Sequence, residues 1–253
     1  MPSAQARALT TQHRRELERT RRLVRRRMRR LAGGADGADI DAWWSSVEDQ
    51  AVRLVARGAD ASANLGVRYL RRHARIEGVD LEPVRTVPER QVIADSLRVT
   101  GPVAFKTHMR DSGSEAASLR AMSERISGAA VRQAMAGDRA TTMQTFYGRE
   151  EVAGYRRVTG SNPCAFCSML ASRGAVYSKA SATTVVGRGR GAPRGDRQIG
   201  ESYHDNCDCT PELVYRREPE PAEVERLREQ WDQVAGGKSG PEALRAWRAY
   251  WES

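Results

Sequence analysis

The sequence predicts a mainly α protein with a small α+β module toward its C-terminal end, and three observations carry that expectation. Apolar residues recur three and four apart through most of residues 1–150. From about Tyr147 to Tyr215 the texture changes to short segments rich in glycine, proline, asparagine and β-branched residues. After Pro219 and Pro221 the helical spacing returns.

The chain has 253 residues, 40% apolar and 29% charged, enough to bury a substantial core and incompatible with wholesale disorder or a collagen-like class. No run approaches the roughly 18 uninterrupted apolar residues needed to span a bilayer. The arginine-dense start lacks the apolar stretch of a secretory signal, so a soluble protein made inside a cell is expected, with no membrane partner. Composition divides the chain into a basic helical arm (1–32), a helical domain (38–150), a cysteine-bearing module (151–217) and a C-terminal helical tail (218–253).

Leu17, Val24 and Leu31 lie seven apart with Met28 near the same face, so the first segment reads as a basic helix with one narrow apolar seam, ended by Gly33, Gly34 and Gly37. Asp39 or Asp41 caps a second helix through Trp43, Trp44, Val47, Val52, Leu54 and Val55. A further helix carries Leu65, Val67, Tyr69, Leu70 and Ile76. The paired tryptophans are expected in the core. Pro83 and Pro88 interrupt the pattern, and Val92, Ile93 and Leu97 resume it before Gly101 and Pro102. Helices around 103–111 and 115–136 follow, the second with Leu119, Met122, Ile126, Ala130 and Val131 on one face. Gly187 to Gly195 alternate largely with arginine and read as a mobile loop. In the tail, Leu244, Trp247 and Trp251 make an amphipathic end that either packs back on the body or binds a partner.

Net charge is +10, and it is unevenly placed. Residues 1–31 hold eleven arginines against Glu16 and Glu18, leaving +9 there and +1 on the remaining 222 residues. Basicity therefore belongs to one segment. Arg14, Arg15, Arg21, Arg22, Arg25, Arg26, Arg29 and Arg30 are the candidate nucleic-acid-binding residues, able to neutralise phosphates or to dock on an acidic partner. A solvated helix without a specific partner is the plainer alternative.

All four cysteines fall within 46 residues, as Cys164-Ala165-Phe166-Cys167 and then His204-Asp205-Asn206-Cys207-Asp208-Cys209. A C-x-x-C knuckle sets two sulfurs on one edge of a tetrahedron, and a second His/Cys pair completes a soft-ligand site suited to structural zinc. Cys164, Cys167, His204 and Cys207 are the favoured ligands, with Cys209 as an alternate fourth. A redox dithiol and buried unligated thiols are the rivals. A closed four-ligand site leaves no position for water, so no catalytic residue is assigned. No HExxH, G-x-S-x-G, Walker or dinucleotide-binding motif is present, and nothing in the spacing pairs His108 with a particular serine.

The run Asn162-Pro163-Cys164-Ala165-Phe166-Cys167-Ser168-Met169-Leu170-Ala171-Ser172-Arg173-Gly174-Ala175-Val176-Tyr177, followed by Tyr203-His204-Asp205-Asn206-Cys207-Asp208-Cys209, resembles the C-terminal module of phage Mu F-like head-morphogenesis proteins, in their actinobacteriophage form. The likeness covers roughly residues 150–215, and the 36 residues between the two ligand clusters are long for the pattern. The resemblance implies a minor capsid protein of the virion, assembled in the host cytoplasm. Its partners would be the portal protein and capsid or scaffold components, with double-stranded DNA as a contact of the basic segment. Related proteins called capsid maturation proteases make proteolysis the rival function, and a metal-supported DNA-processing enzyme is a third reading.

Overall fold

The computed structural model describes residues 2–160, 163–175, 184–186, 193–196, 203, 205, 207, 209–216 and 219–252, with backbone only for 184–186 and 193–196. Three long helices form its frame. Helix α1 (Ala4–Ala32) starts at Ser3, whose hydroxyl accepts the Ala6 amide at 3.1 Å, and ends with Arg29 and Arg30 beside its exposed carbonyls. Its buried residues run Leu9, His13, Leu17, Arg21, Val24, Met28 and Ala32, a seam at helical spacing laid against α2 and α5.

Helix α2 (Ile40–Ile76), capped by the Asp39 carboxylate, is one uninterrupted helix where the sequence reads as two. The glycines inside it serve packing. A Cβ at Gly58 would lie 2.9 Å from the Ala134 Cβ, and one at Gly66 would lie 2.9 Å from the Asp138 carboxylate. Helix α5 (Glu115–Gly148) runs on well past residue 136 and approaches α2 most closely at Gly137, whose added Cβ would overlap the Ala59 carbonyl oxygen. Ser62 fixes the crossing by donating to the Ala134 carbonyl at 2.6 Å.

Between these helices lie α3 (Arg90–Arg98), a π-helical turn at Val99–Val103 and α4 (Ala104–Ser112). Pro102 has no amide hydrogen to give, and Gly101 leaves helical geometry, so the chain bends there. The core gathers Leu17, Val24, Met28, Trp43, Trp44, Ile93, Leu97, Phe105, Met122, Ile126 and Met135, so both tryptophans are core residues.

Beyond α5 the elements shorten. Strand β1 (Gly154–Val158) pairs antiparallel with β4 (Thr210–Val214), Gly154 opposite Val214 and Val158 opposite Thr210. Helix α6 (Ala165–Ser172) follows β1, and β2 (Thr184–Val186) pairs antiparallel with β3 (Pro193–Asp196). The glycine–arginine loop lies outside the described residues, apart from the backbone of β3 at its end. Helices α7 (Ala222–Ala235) and α8 (Gly240–Glu252) pack back onto α6. The indole of Trp247 is buried and donates to the Ala165 carbonyl at 2.7 Å, and that of Trp251 donates to the Pro163 carbonyl at 2.6 Å. The molecule is thus mainly helical with a small sheet portion near its C-terminal end. Among the described residues no helix is long and apolar enough to cross a membrane.

A buried polar network joins the two parts. Glu212 on β4 accepts from Thr10 at 2.5 Å and from Arg156 Nε at 2.7 Å. Thr10 lies 2.9 Å from the Tyr69 hydroxyl, Tyr69 stacks on His13 at 4.3 Å, and His13 Nε2 lies 2.9 Å from Asp138.

Alanine normally outscores glycine inside a helix, yet Gly137→Ala should destabilise the protein by about 1–3 kcal/mol, because α2 backbone blocks the added methyl. Urea unfolding followed by circular dichroism reads the sign. Glu212→Ala should cost about 3–5 kcal/mol by leaving the Arg156 guanidinium buried without its carboxylate, and the same titration measures it.

Candidate metal centre and basic face

The first ligand cluster is set by a helix start. Cys164 occupies the N-cap of α6, where its sulfur accepts the Cys167 amide at 3.4 Å, and the two indoles of α8 hold the flanking carbonyls. Cys167, one turn in, points inward and is buried, whereas Cys164 is exposed. The second cluster enters β4. Cys207 and Cys209 are two residues apart just before that strand, and both are buried.

These elements bring three sulfurs together. Cys167 Sγ lies 3.3 Å from Cys207 Sγ and 3.4 Å from Cys209 Sγ, and the last two are 3.0 Å apart. The three buried cysteines can hold a metal ion. Cys164 does not join this group, and His204 lies outside the described residues. Asp205 accepts from Arg132 Nε at 2.7 Å, and Arg132 also donates to Ser96 at 3.0 Å, tying this loop to the helical body.

The surroundings favour negative charge on one of the three sulfurs, that of Cys209. Arg157 on β1 donates to Cys209 Sγ at 3.5 Å, and Arg139 on α5 donates to the Cys207 and Cys209 carbonyls at 2.7 and 3.3 Å. Both guanidiniums are buried and cover the Tyr203 ring, 3.9 and 4.2 Å from its centroid. Hydrogen bonds from Cys167 and Cys207 hold the Cys209 thiol well below the usual thiol range, opposed by burial and assisted by Arg157 and Arg139. The Cys167 thiol is pushed up, chiefly by hydrogen bonding to its two neighbours. Burial also pushes the Tyr203 phenol up, so that ring stays neutral.

Arg139, Arg157 and Tyr203 were not legible as site residues. Arg139 is 68 and 70 residues from the cysteines whose carbonyls it bonds, and Arg157, though close to Cys164 in sequence, is 52 residues from the Cys209 sulfur it bonds, so only the packing of α5 and β1 brings them in. The one hint is the placing of Asp138-Arg139 within a run of small residues, where a charge needs a buried partner.

The candidate phosphate-binding arginines take different places on α1. Arg15, Arg22, Arg26 and Arg30 are exposed and, with Arg19, follow one another three or four residues apart as an outward stripe. Arg14 and Arg25 are half-buried, and Arg14 lines a cavity of about 150 Å³ with Arg7, Arg156 and Glu212. Arg21 is buried on the core side, with Glu18 3.8 Å away. Arg29 grips both carboxylate oxygens of Glu124 on α5 at 2.8 Å. Arg14, Arg15, Arg19, Arg21 and Arg22 also line an open groove that reaches Gly160 and Thr210.

His108 has Ser118 and Ser112 hydroxyls at 2.9 and 3.0 Å from its Nδ1, but Ser118 is buried and donates to the Ser114 carbonyl at 2.7 Å. That constellation pins the α4–α5 junction.

Comparison with curated proteins gave no match. Comparison with solved structures gave none either. The sequence pattern of a viral gene protein family, described as VG15 protein, matches residues 4–234, through all three long helices, both cysteine clusters and nearly all of α7. With nearly its whole length matched, the chain belongs to the VG15 protein family.

Proposed function

We propose that this viral protein is a minor structural component of a phage head, acting in head morphogenesis near the portal and the packaged DNA, with zinc stapling its C-terminal module. The observation that carries the reading is the buried three-sulfur group joining α6 to β4. Membership of a viral family and the likeness of the cysteine clusters to Mu F-like proteins support the setting.

The donor set suits zinc in kind and in size. Thiolates are soft ligands, and tetrahedral Zn–S bonds of about 2.3 Å hold sulfurs about 3.8 Å apart, so the observed 3.0–3.4 Å needs a small spreading. Three thiolates on a divalent ion carry net negative charge, which Arg139 and Arg157, both over the Tyr203 ring, would offset. Bound zinc supplies a cross-link and no open coordination position once a fourth protein ligand, Cys164 or His204, closes the shell. The chain's own residues do the rest: α8 fixes the knuckle, and Arg132 holds Asp205 against the helical body.

Cys167→Ser should lower zinc from about one ion per chain to a small fraction of that, and should make the C-terminal module protease-sensitive while α1, α2 and α5 stay folded. Metal analysis and limited proteolysis on one sample check both. The pair Cys164→Ser and His204→Ala then identifies the fourth ligand, because one of the two should match the loss seen for Cys167→Ser. Unchanged metal content in all three variants overturns the zinc assignment.

Replacing Arg15, Arg19, Arg22 and Arg26 together by glutamine should weaken duplex DNA binding and flatten its dependence on log salt by about 3–4 units, roughly 0.9 for each phosphate no longer neutralised. The four are exposed, so circular dichroism should not change. DNA binding with an unaltered salt slope would remove DNA as the partner of this face.

A further inference from the structure

The seam where α1 and α2 lie side by side is not closed on its outer edge. Thr20–Leu31 of α1 and Gln50–Ala61 of α2 border a groove of about 380 Å³. Leu23, Val24, Leu31 and Leu54 give it an apolar floor, with Gly58 also in the lining. Leu23 is 37% exposed, and among the described residues it is the one large apolar side chain of α1 and α2 left in water to that degree.

The rim has one sign of charge. Arg27 and Arg30 stand on the α1 side and Arg57 on the α2 side, and no acidic residue lines the groove. Among the described residues none of these three guanidiniums is in an ion pair. Acidic groups on the same two helices are turned to other partners: Asp49 to Arg53 and Arg90, Asp60 to Arg85, Glu18 to Arg21 and Arg22. Each wall is about 17 Å long, or three helical turns.

We infer that this groove is a docking site for an acidic amphipathic helix of a partner protein. Its apolar stripe, at i, i+3, i+4 and i+7, lies on Leu23 and Leu54, and its flanking carboxylates meet Arg27 and Arg30 on one side and Arg57 on the other. Duplex DNA would find the cations but has no use for the floor, and a bilayer requires a convex apolar face where this one is concave. Leu23, Arg27 and Arg57 belong to neither the zinc nor the DNA reading, and Arg30 alone is shared between this rim and the outward stripe.

The test uses the full chain and a fluorescein-labelled three-turn helical peptide with leucines at that spacing and glutamates on both flanks, read by fluorescence anisotropy, beside a counterpart with lysine flanks. The glutamate peptide should bind and the lysine peptide should not. Leu23→Glu and the double variant Arg27→Glu, Arg57→Glu should each weaken binding by about tenfold or more, with circular dichroism unchanged because all three side chains lie at the surface. In the double variant the lysine peptide should gain the affinity that the glutamate peptide loses. The inference is overturned if the glutamate peptide fails to bind or is indifferent to Leu23→Glu. It is equally overturned if duplex DNA loses as much affinity as the peptide does in these variants, or if the groove variants change only self-association of the chain.

Discussion

Glu212 takes a carboxylate into the protein interior, and the groups that make this tolerable also hold the molecule's two parts together. A buried charge without partners would cost several kcal/mol. Here one oxygen meets the Arg156 guanidinium on the neighbouring strand and the other meets Thr10 on α1. Thr10 leads through Tyr69 and His13 to Asp138 on α5, so five elements, β1, β4, α1, α2 and α5, share one chain of hydrogen bonds and ring contacts. The next residue along α5 from Asp138 is Arg139, which reaches the carbonyls of Cys207 and Cys209 just before β4 begins. The strand that carries Glu212 is thereby tied to the same long helix directly, just before the strand's first residue, and indirectly from its centre, and the first of these ties holds the backbone that carries two of the sulfurs.

The sequence made some of this legible and concealed the rest for physical reasons. The α1 seam, the core role of Trp43 and Trp44 and the bend at Gly101–Pro102 could be read because each depends on local spacing or on a missing amide hydrogen. The continuity of α2 could not. Gly58 and Gly66 are also what a helix end looks like in one dimension, and only the nearness of Ala134, Val24 and Asp138 shows that they make room for neighbours. The tryptophans of the tail were legible as an amphipathic face, but not their destination, because the carbonyls they bond at the start of α6 carry no sequence signature. Of the candidate metal site, the cysteines stood out by rarity and clustering, while Arg139, Arg157 and Tyr203 are common residues recruited by tertiary packing.

Arginine shows most plainly how far composition is from function. On α1 alone the same side chain is buried at Arg21, grips a carboxylate across helices at Arg29, and faces water at Arg15, Arg22 and Arg26. The charge of +9 counted over residues 1–31 therefore overstates the field offered to a partner. What a phosphate backbone would meet is the outward stripe. What an acidic helix would meet is the side bordering α2, where Arg27 and Arg30 stand over exposed Leu23. One helix thus presents a purely electrostatic face and a mixed apolar and cationic one, which adjoin at Arg30.

The cysteine module makes the complementary argument from scarcity. Val152, Tyr155 and Leu213 pack on the helical body, and what remains local to the module is Cys167, Tyr203, Cys207 and Cys209 in one cluster and Ala165, Met169 and Trp247 in another, with Trp247 lent by the tail. So few apolar groups bury little surface, and at about 25 cal/mol per Å² they offset little of the entropy of ordering strands and loops. A metal ion bound by the sulfurs would add binding energy at one point and would tie α6 to the segment leading into β4 without further apolar residues. The neighbouring guanidiniums fit that role, because close-set thiolates need compensating charge where neutral thiols would not. With few apolar side chains of its own around the three sulfurs, the module has its strongest potential cross-link where those sulfurs meet.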